Sequence, residues 1–105
     1  MSATHHEAPV RIPAAHPALP GHFPGYPVVP AVVVLECVLE AAERWLARPL
    51  PVAALPHAKF QSPLAPDQDA RVVLDLEDAS LRFRVLSAAG LIAQGAFQLA
   101  VDARR

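Results

Sequence analysis

The stretch PAVVVLECVLEAAERWLA, residues 30–47, decides the fold. After its first residue it contains no Gly or Pro, and good helix formers fill its second half, so it predicts one helix with Pro30 in the first turn. Apolar side chains cover most of the predicted helix, and we expect it to be buried. The polar side chains form a single stripe, made of Glu36, Glu40, Glu43, Arg44 and Arg48.

Strand patterns follow the predicted helix. Residues 52–60 predict one strand, and residues 61–69, which contain two prolines, predict a loop. Apolar and polar side chains then alternate in residues 71–77, 81–85 and 91–101, the period of half-buried strands. Short connections join these three segments and indicate an antiparallel meander. The sequence therefore predicts an α+β fold, in which one antiparallel sheet of four strands is wrapped around one long buried helix.

The size of the chain limits it to one domain. A chain of 105 residues has room for one hydrophobic core, so we interpret residues 1–105 as a single domain. Its 53% hydrophobic and 18% charged residues exclude a disordered chain. Seven of the 12 prolines lie in residues 9–30, which predicts turns and short extended pieces there. Residues 1–8 are predicted to be a mobile tail.

Charge and composition exclude several classes of function. Nine basic against ten acidic residues leave a net charge of -1, which gives no general attraction for nucleic acid. The single cysteine, Cys37, has no partner for an internal disulfide, which favours a cytoplasmic location. The longest apolar run, residues 26–35, is interrupted by prolines and is far shorter than the roughly 20 residues that cross a bilayer. We therefore expect no membrane insertion.

His22 is the first candidate for a catalytic residue. It lies in the segment GHFPGYPVVPAVVVLE, residues 21–36, directly before the predicted helix. The Pro24 and Gly25 pair favours a tight turn, and further prolines stiffen the approach to the helix. A histidine held in place by such a backbone is preorganised for chemistry. By itself, however, a histidine in a proline-rich loop is more often a structural residue.

The segment of residues 21–36 resembles the pattern GHFPGxPxxPGVxxxE of the FabZ and FabA type of 3-hydroxyacyl-acyl-carrier-protein dehydratases. A second segment, AKFQSPLAPDQDARVVLDLE at residues 58–77, is similar to the family's KFxxPxxPGDxL. The two cover somewhat over a third of the chain, in the family's order. The resemblance implies a hotdog fold. The short chain also resembles the small stand-alone members that are associated with polyene pigment or lipid gene clusters.

The resemblance implies an enzyme that dehydrates 3-hydroxyacyl thioesters to trans-2-enoyl thioesters. His22 is then the general base and Glu36 the general acid. A carboxyl group packed against Val33 and Val34 is expected to hold a proton that it can donate. The Ala31 amide, at the start of the helix, is the donor for the developing enolate oxygen. The positions implied to bind substrate are Phe23, Gly25, Pro30 and Ala31.

The resemblance also implies the partners of the chain. The thioester is delivered by an acyl carrier protein, and no metal or other cofactor takes part. In the family the histidine and the glutamate of one site come from different subunits, and the acyl chain lies in a tunnel at their interface. We therefore expect a homodimer or a larger assembly of dimers.

Two other functions remain open on the sequence. One is a non-catalytic, dehydratase-like subunit that binds acyl chains or pairs with an active partner, since Ala31 and Asp67 stand where the family has glycine. The other is a hotdog thioesterase, although those enzymes generally lack the His-Phe-Pro-Gly turn. Glu36 has a plain alternative as well, because it begins the polar stripe that a solvated helix face would carry.

Overall fold

The sheet joins strands that are distant in the sequence. The computed structural model describes residues 4–15 and 29–100, and these form one helix and five strands. In chain order the elements are β1 (His5–Val10), α1 (Ala31–Leu46), β2 (Val52–Phe60), β3 (Ala70–Glu77), β4 (Ser80–Ser87) and β5 (Gly90–Leu99). All neighbouring strands are antiparallel, in the order β1-β3-β4-β5-β2. The predicted α+β hotdog fold is confirmed, with β1 and β2 as the two edges of the sheet.

Helix α1 packs one face against the sheet and leaves a stripe exposed. It starts after Pro30, and the chain leaves it at Ala47 in the left-handed conformation, with φ of 57°. Val32 is 60% exposed, and Glu36 and Glu40 follow it at helical spacing on the same exposed stripe. The buried face of the helix consists of Val33, Val34, Val38, Ala41 and Ala42.

The core lies between α1 and one face of the sheet. The predicted alternation is confirmed in β4, where Leu81, Phe83 and Val85 are buried and the two arginines between them are exposed. Both Val72 and Leu74 of β3 lie in the same core. The alternation therefore separates a core face of the sheet from an outer face that carries the charges.

Strand β5 contains a bulge that the alternation did not predict. Ala93 pairs with Val85, but Leu91 pairs with Leu86, so β5 has one extra residue at this point. The alternation placed Ile92 on the face opposite to Ala93, and this was wrong. Ile92 is only 2% exposed and belongs to the core, because the bulge turns both side chains inward.

The prediction of a tail at residues 1–8 is wrong for the residues that the structure describes. His5–Val10 forms β1 and pairs along its whole length with β3, so the sheet has five strands instead of four. The ring of His6 stacks on Trp45 at the end of α1, with 5.3 Å between ring centroids. His5 Nδ1 lies 2.8 Å from Asp75 Oδ1 on β3. Contacts with residues that are distant in the sequence hold this strand in place, and no local sequence pattern predicts such contacts.

Strand β2 lies at the other edge and is exposed along all nine residues. Its only neighbour in the described part of the chain is β5, and Pro56 interrupts the ladder where the register shifts. Proline is tolerated at such an edge because one side of the strand makes no ladder bonds. No helix in residues 4–15 and 29–100 is long and apolar enough to cross a membrane.

Candidate active site

An apolar pocket of about 450 Å³ opens at the beginning of helix α1. One wall comes from the residues that lead into the helix and from its first turns, and the other from the loop after β2 together with the bulge of β5. The lining residues are Val29, Pro30, Ala31, Val34, Phe60, Gln61, Ser62, Pro63, Leu64 and Ile92. Apart from Gln61 and Ser62 these side chains are apolar, and a cavity of this kind suits a hydrophobic ligand with a small polar portion.

Backbone hydrogen bonds hold the two walls together. The Val29 amide donates to the Leu64 carbonyl over 2.8 Å, which joins the entry to α1 to the loop after β2. The Gln61 amide donates to the Ile92 carbonyl over 2.8 Å, which joins the same loop to β5. The shape of the pocket therefore depends on three chain segments that tertiary hydrogen bonds bring together.

The first residue of α1, Ala31, lies on the wall of this pocket. The amides of Val33 and Val34 both donate to the Pro30 carbonyl, at 3.0 and 3.2 Å, and these are the first bonds of the helix. The Ala31 amide precedes them, and the geometry of a helix gives it no partner within the helix itself. The first turn carries no acidic residue to offset the positive end of the helix. The Ala31 amide is therefore the candidate donor for an oxygen atom of a bound ligand.

The structure brings together only part of the predicted site. Pro30 and Ala31 both line the pocket, and their role in binding substrate stays a prediction. His22, Phe23 and Gly25 lie outside the described residues, so their predicted roles stay predictions.

Glu36 does not lie where we expected it. Val33 and Val34 point into the core, at 1% and 3% exposure, while Glu36 is exposed and is not among the residues that line the pocket. The expectation that these two valines bury the carboxyl group was wrong for a single chain. The reason is helical geometry, because Glu36 lies one turn after the exposed Val32 on the same stripe.

Sequence reasoning assigned no site role to the second wall of the pocket. Phe60, Gln61, Ser62 and Leu64 all fall in the segment that resembles KFxxPxxPGDxL. That resemblance was the available signal for these four residues. Ile92 had no such signal, because only the bulge turns it toward the pocket.

Among the described residues, Cys37 does not form a second reactive centre. Burial raises the pKa of the Cys37 thiol, and the nearby carboxylates of Glu40 and Glu36 add to the effect, so the thiol is a poor nucleophile. In the described part of the chain, no group of three or more His, Cys, Asp or Glu side chains is arranged to hold a metal ion.

Comparison with known protein families gives a match over most of the chain. A family model described as ApeI-like, ApeI dehydratase, matches residues 1–96. A 3-hydroxyacyl-acyl-carrier-protein dehydratase FabZ from Koribacter versatilis is 33% identical over 64 residues, which are 53% of this chain and 41% of that protein. The chain spans about half the length, or less, of the curated relatives that it matches.

Solved structures share the fold over nearly the whole chain. One is described as the dehydratase heterocomplex ApeI:P from Xenorhabdus doucetiae, with a TM-score of 0.84 and 22% identity, covering 95% of this chain and 90% of the other. Another is an uncharacterized protein from Erwinia carotovora subsp. atroseptica, with a TM-score of 0.81 and 25% identity, covering 95% and 87% of the two chains. At these identities the structural likeness establishes the hotdog fold.

Proposed function

Because this chain belongs to the ApeI-like dehydratase family, we propose that it converts 3-hydroxyacyl thioesters, carried on an acyl carrier protein, to trans-2-enoyl thioesters. The observation that carries the proposal is the apolar pocket at the start of α1, with Ala31 on its wall. An acyl chain fits the apolar lining, and the amide meets the thioester oxygen, which becomes negatively charged when the proton on C2 is removed.

The reaction needs a base and an acid on the two neighbouring carbons. In our proposal the His22 imidazole removes the proton from C2, and the electron pair of that bond forms the double bond between C2 and C3. The bond from C3 to its hydroxyl oxygen breaks, and this oxygen takes a proton from the Glu36 carboxyl group and leaves as water. The proton held by His22 then returns to the Glu36 carboxylate, which completes the cycle.

The position of Glu36 favours a site shared between two subunits. Within one chain Glu36 is exposed and does not line the pocket. Exposed apolar side chains lie on the same helix and on the β2 edge, since Val32 is 60% exposed and Leu55 and Phe60 of β2 are 38% and 39% exposed. A second copy of the chain that continues the sheet at the β2 edge would cover these side chains. We therefore propose a homodimer in which Glu36 of one subunit completes the pocket of the other.

A second candidate function is an inactive subunit that pairs with an active dehydratase. It is favoured by Ala31, which adds a methyl group at the oxygen-binding amide where the family motif has glycine. A related fold that is described as a dehydratase heterocomplex also favours it. In that case the exposed β2 edge would pair with a different hotdog subunit instead of with a second copy.

Hydration of a crotonyl pantetheine thioester, which is the reverse reaction, tests the proposal with purified protein. The wild-type protein is expected to convert the enoyl thioester, while His22→Ala and Glu36→Gln each lose about a hundredfold or more of the rate. Glu40→Gln, on the same exposed stripe one turn further on, is the matched control and should keep full activity. No turnover by the wild-type protein would favour the inactive subunit.

Mixing two inactive variants tests the shared site directly. When His22→Ala and Glu36→Gln chains are unfolded and refolded together, half of the dimers contain one chain of each kind. Each mixed dimer has one intact site if the residues of a site come from different subunits, so about a quarter of the wild-type activity returns. If both residues belonged to one chain, no activity would return.

A further inference from the structure

Asp67 has a backbone conformation that favours glycine. Its φ is 62°, in the left-handed region, where aspartate and asparagine are the residues with a side chain that occur most readily. The family motif has glycine at this position, and glycine adopts such a conformation without steric cost. Aspartate at this position therefore adds one group that the family motif lacks, a carboxylate.

The carboxylate of Asp67 holds the stretch of chain that follows β1. The Ala14 amide donates to Asp67 Oδ1 over 3.3 Å, and the Asp67 amide donates to the Ile12 carbonyl over 2.7 Å. An ion pair from Arg11 Nη1 to Asp69 Oδ1, 3.6 Å long, joins the same two stretches. Both of its side chains are exposed, and such a pair contributes little. The bonds of Asp67 are therefore the main connection.

The same loop also holds the chain at the entry to α1. The Val29 amide donates to the carbonyl of Leu64, which lies three residues before Asp67. The loop is closed on itself between these two points. The Gln68 amide donates to the Ala65 carbonyl over 3.3 Å, and the Ala65 amide donates to Gln68 Oε1 over 3.0 Å. Leu64 and Asp67 therefore belong to one compact loop with two attachment points.

The two attachment points flank the segment that contains the proposed base. Residues 16–28, which include His22, lie outside the described part of the chain, and the loop binds the chain just before and just after them. The attachments are firm, because Ile12, Val29 and Leu64 are 2%, 4% and 2% exposed and belong to the core. Fixing both ends of a chain segment reduces the number of positions that its middle can reach.

We infer that Asp67 is a positioning residue, which anchors the chain just before the segment of residues 16–28 and so sets where the His22 imidazole meets the substrate. The inference rests on the proposed function, because it needs His22 to be the base. Val29 and Leu64 also line the acyl pocket, so the loop that anchors this segment is part of the pocket wall. Base and substrate are thereby held against one common element. A small misplacement of the base slows proton transfer without weakening the binding of substrate.

Two variants at position 67 test the inference in the crotonyl pantetheine hydration assay. Asp67→Gly keeps the left-handed backbone and loses the carboxylate, so kcat should fall about threefold to tenfold, the usual effect of one hydrogen bond, with KM unchanged. Asp67→Asn keeps an acceptor oxygen and should retain about half of kcat or more. Asp78→Gly is the matched control and should keep full activity. Asp78 also has a positive φ, 55°, but it lies in the turn between β3 and β4.

Stability measurements separate positioning from folding. Asp67→Gly should unfold at nearly the same urea concentration as the wild type, since glycine adopts a positive φ readily. An unchanged kcat in Asp67→Gly, an equal loss of kcat in Asp67→Asn or a similar loss in Asp78→Gly would each overturn the positioning role. A rise in KM instead of a fall in kcat, or partial unfolding of Asp67→Gly under the assay conditions, would overturn it as well.

Hydrogen exchange of the Ala14 amide, followed by NMR, gives a readout that does not depend on activity. Exchange should be roughly threefold or more faster in Asp67→Gly than in the wild type and in Asp67→Asn, because the bond to the carboxylate protects this amide. Turnover by the wild type with equal exchange in all three proteins would overturn the anchor and leave the dehydratase intact. No turnover, with exchange still faster in Asp67→Gly, would overturn the proposed function and the catalytic role of Asp67, and would confirm that Asp67 anchors the chain.

Discussion

Gly95 of β5 lies so close to the carbonyl oxygen of His57 that a Cβ atom on Gly95 would be 2.5 Å from that oxygen. The same Cβ atom would be 2.9 Å from Cζ of Phe83 in the core. One neighbour is backbone and the other is a buried ring, so neither can move away easily. Strand β2 therefore packs on β5 at this distance because position 95 has no side chain.

The first prediction follows from this close approach. Gly95→Ala should lower the free energy of unfolding by about 1–3 kcal/mol, because the added methyl group overpacks the contact between β5, β2 and Phe83. Urea denaturation followed by circular dichroism measures the change. Gln98→Ala, an exposed position on the same strand, is the control and should change stability by less than about 0.5 kcal/mol. Equal stability of Gly95→Ala and the wild type would mean that β2 can shift enough to accommodate the added methyl group.

Local periodicity in the sequence was sufficient for most of the fold. Together with the prolines that flank both segments, it gave the bounds of α1 to within one residue and those of β2 without error. It failed at β1, because the sequence HHEAPV has little apolar character. Contacts with Asp75 and Trp45 hold this strand in place. It also failed at Ile92, where a bulge shifts the alternation.

The sequence predicted only the part of the site whose residues are neighbours in the chain. Pro30 and Ala31 begin a helix, so their place on one wall follows from the helix itself. The opposite wall depends on long-range bonds, such as that from Val29 to Leu64, which no sequence pattern encodes. Glu36 is exposed because it belongs to the polar stripe of α1. Its proposed role needs a second subunit, which the sequence of one chain does not describe.

The second prediction concerns the pH dependence of stability. A hydrogen bond to Asp75, and then one to Glu7, raises the pKa of His5 above its ordinary value of 6.5. The contribution of His5 to stability is therefore fully present below pH 6.5 and is lost as the pH rises through the higher pKa of the folded state. Melting temperatures measured from pH 5.5 to pH 8.5 should show this loss in the wild type and a smaller one in His5→Gln.

Asp75→Asn is the matched variant for this prediction, because it removes the first partner of His5 and leaves the histidine in place. It should reduce the pH dependence of the melting temperature almost as much as His5→Gln does. If the melting temperature of His5→Gln depended on pH as strongly as that of the wild type, the hydrogen bond between His5 and Asp75 would not be the cause of the dependence.

The third prediction concerns the proposed dimer. Val32→Glu should raise the dimer dissociation constant roughly tenfold or more, since it places a charge beside Glu36 on a surface that the partner would bury. Sedimentation equilibrium measures this constant. Ala88→Glu, in the exposed turn between β4 and β5, adds the same charge away from that surface and should leave the dimer intact. An undiminished dimer in Val32→Glu would place the interface elsewhere.

The last prediction isolates one hydrogen-bond donor. Ala31→Pro removes the amide on the pocket wall and should leave α1 folded, because proline is favoured at the first helical position and Pro30 already has the extended ψ of 147° that a following proline needs. In the pantetheine assay we expect kcat to fall by about 10²–10³, the usual cost of losing one donor to a developing oxyanion. Ala31→Ser keeps the amide and controls for the changed side chain. Circular dichroism checks that the helix is retained in both variants. Full activity of Ala31→Pro with the helix intact would show that another donor holds the enolate oxygen, and the start of α1 would then serve only to shape the pocket.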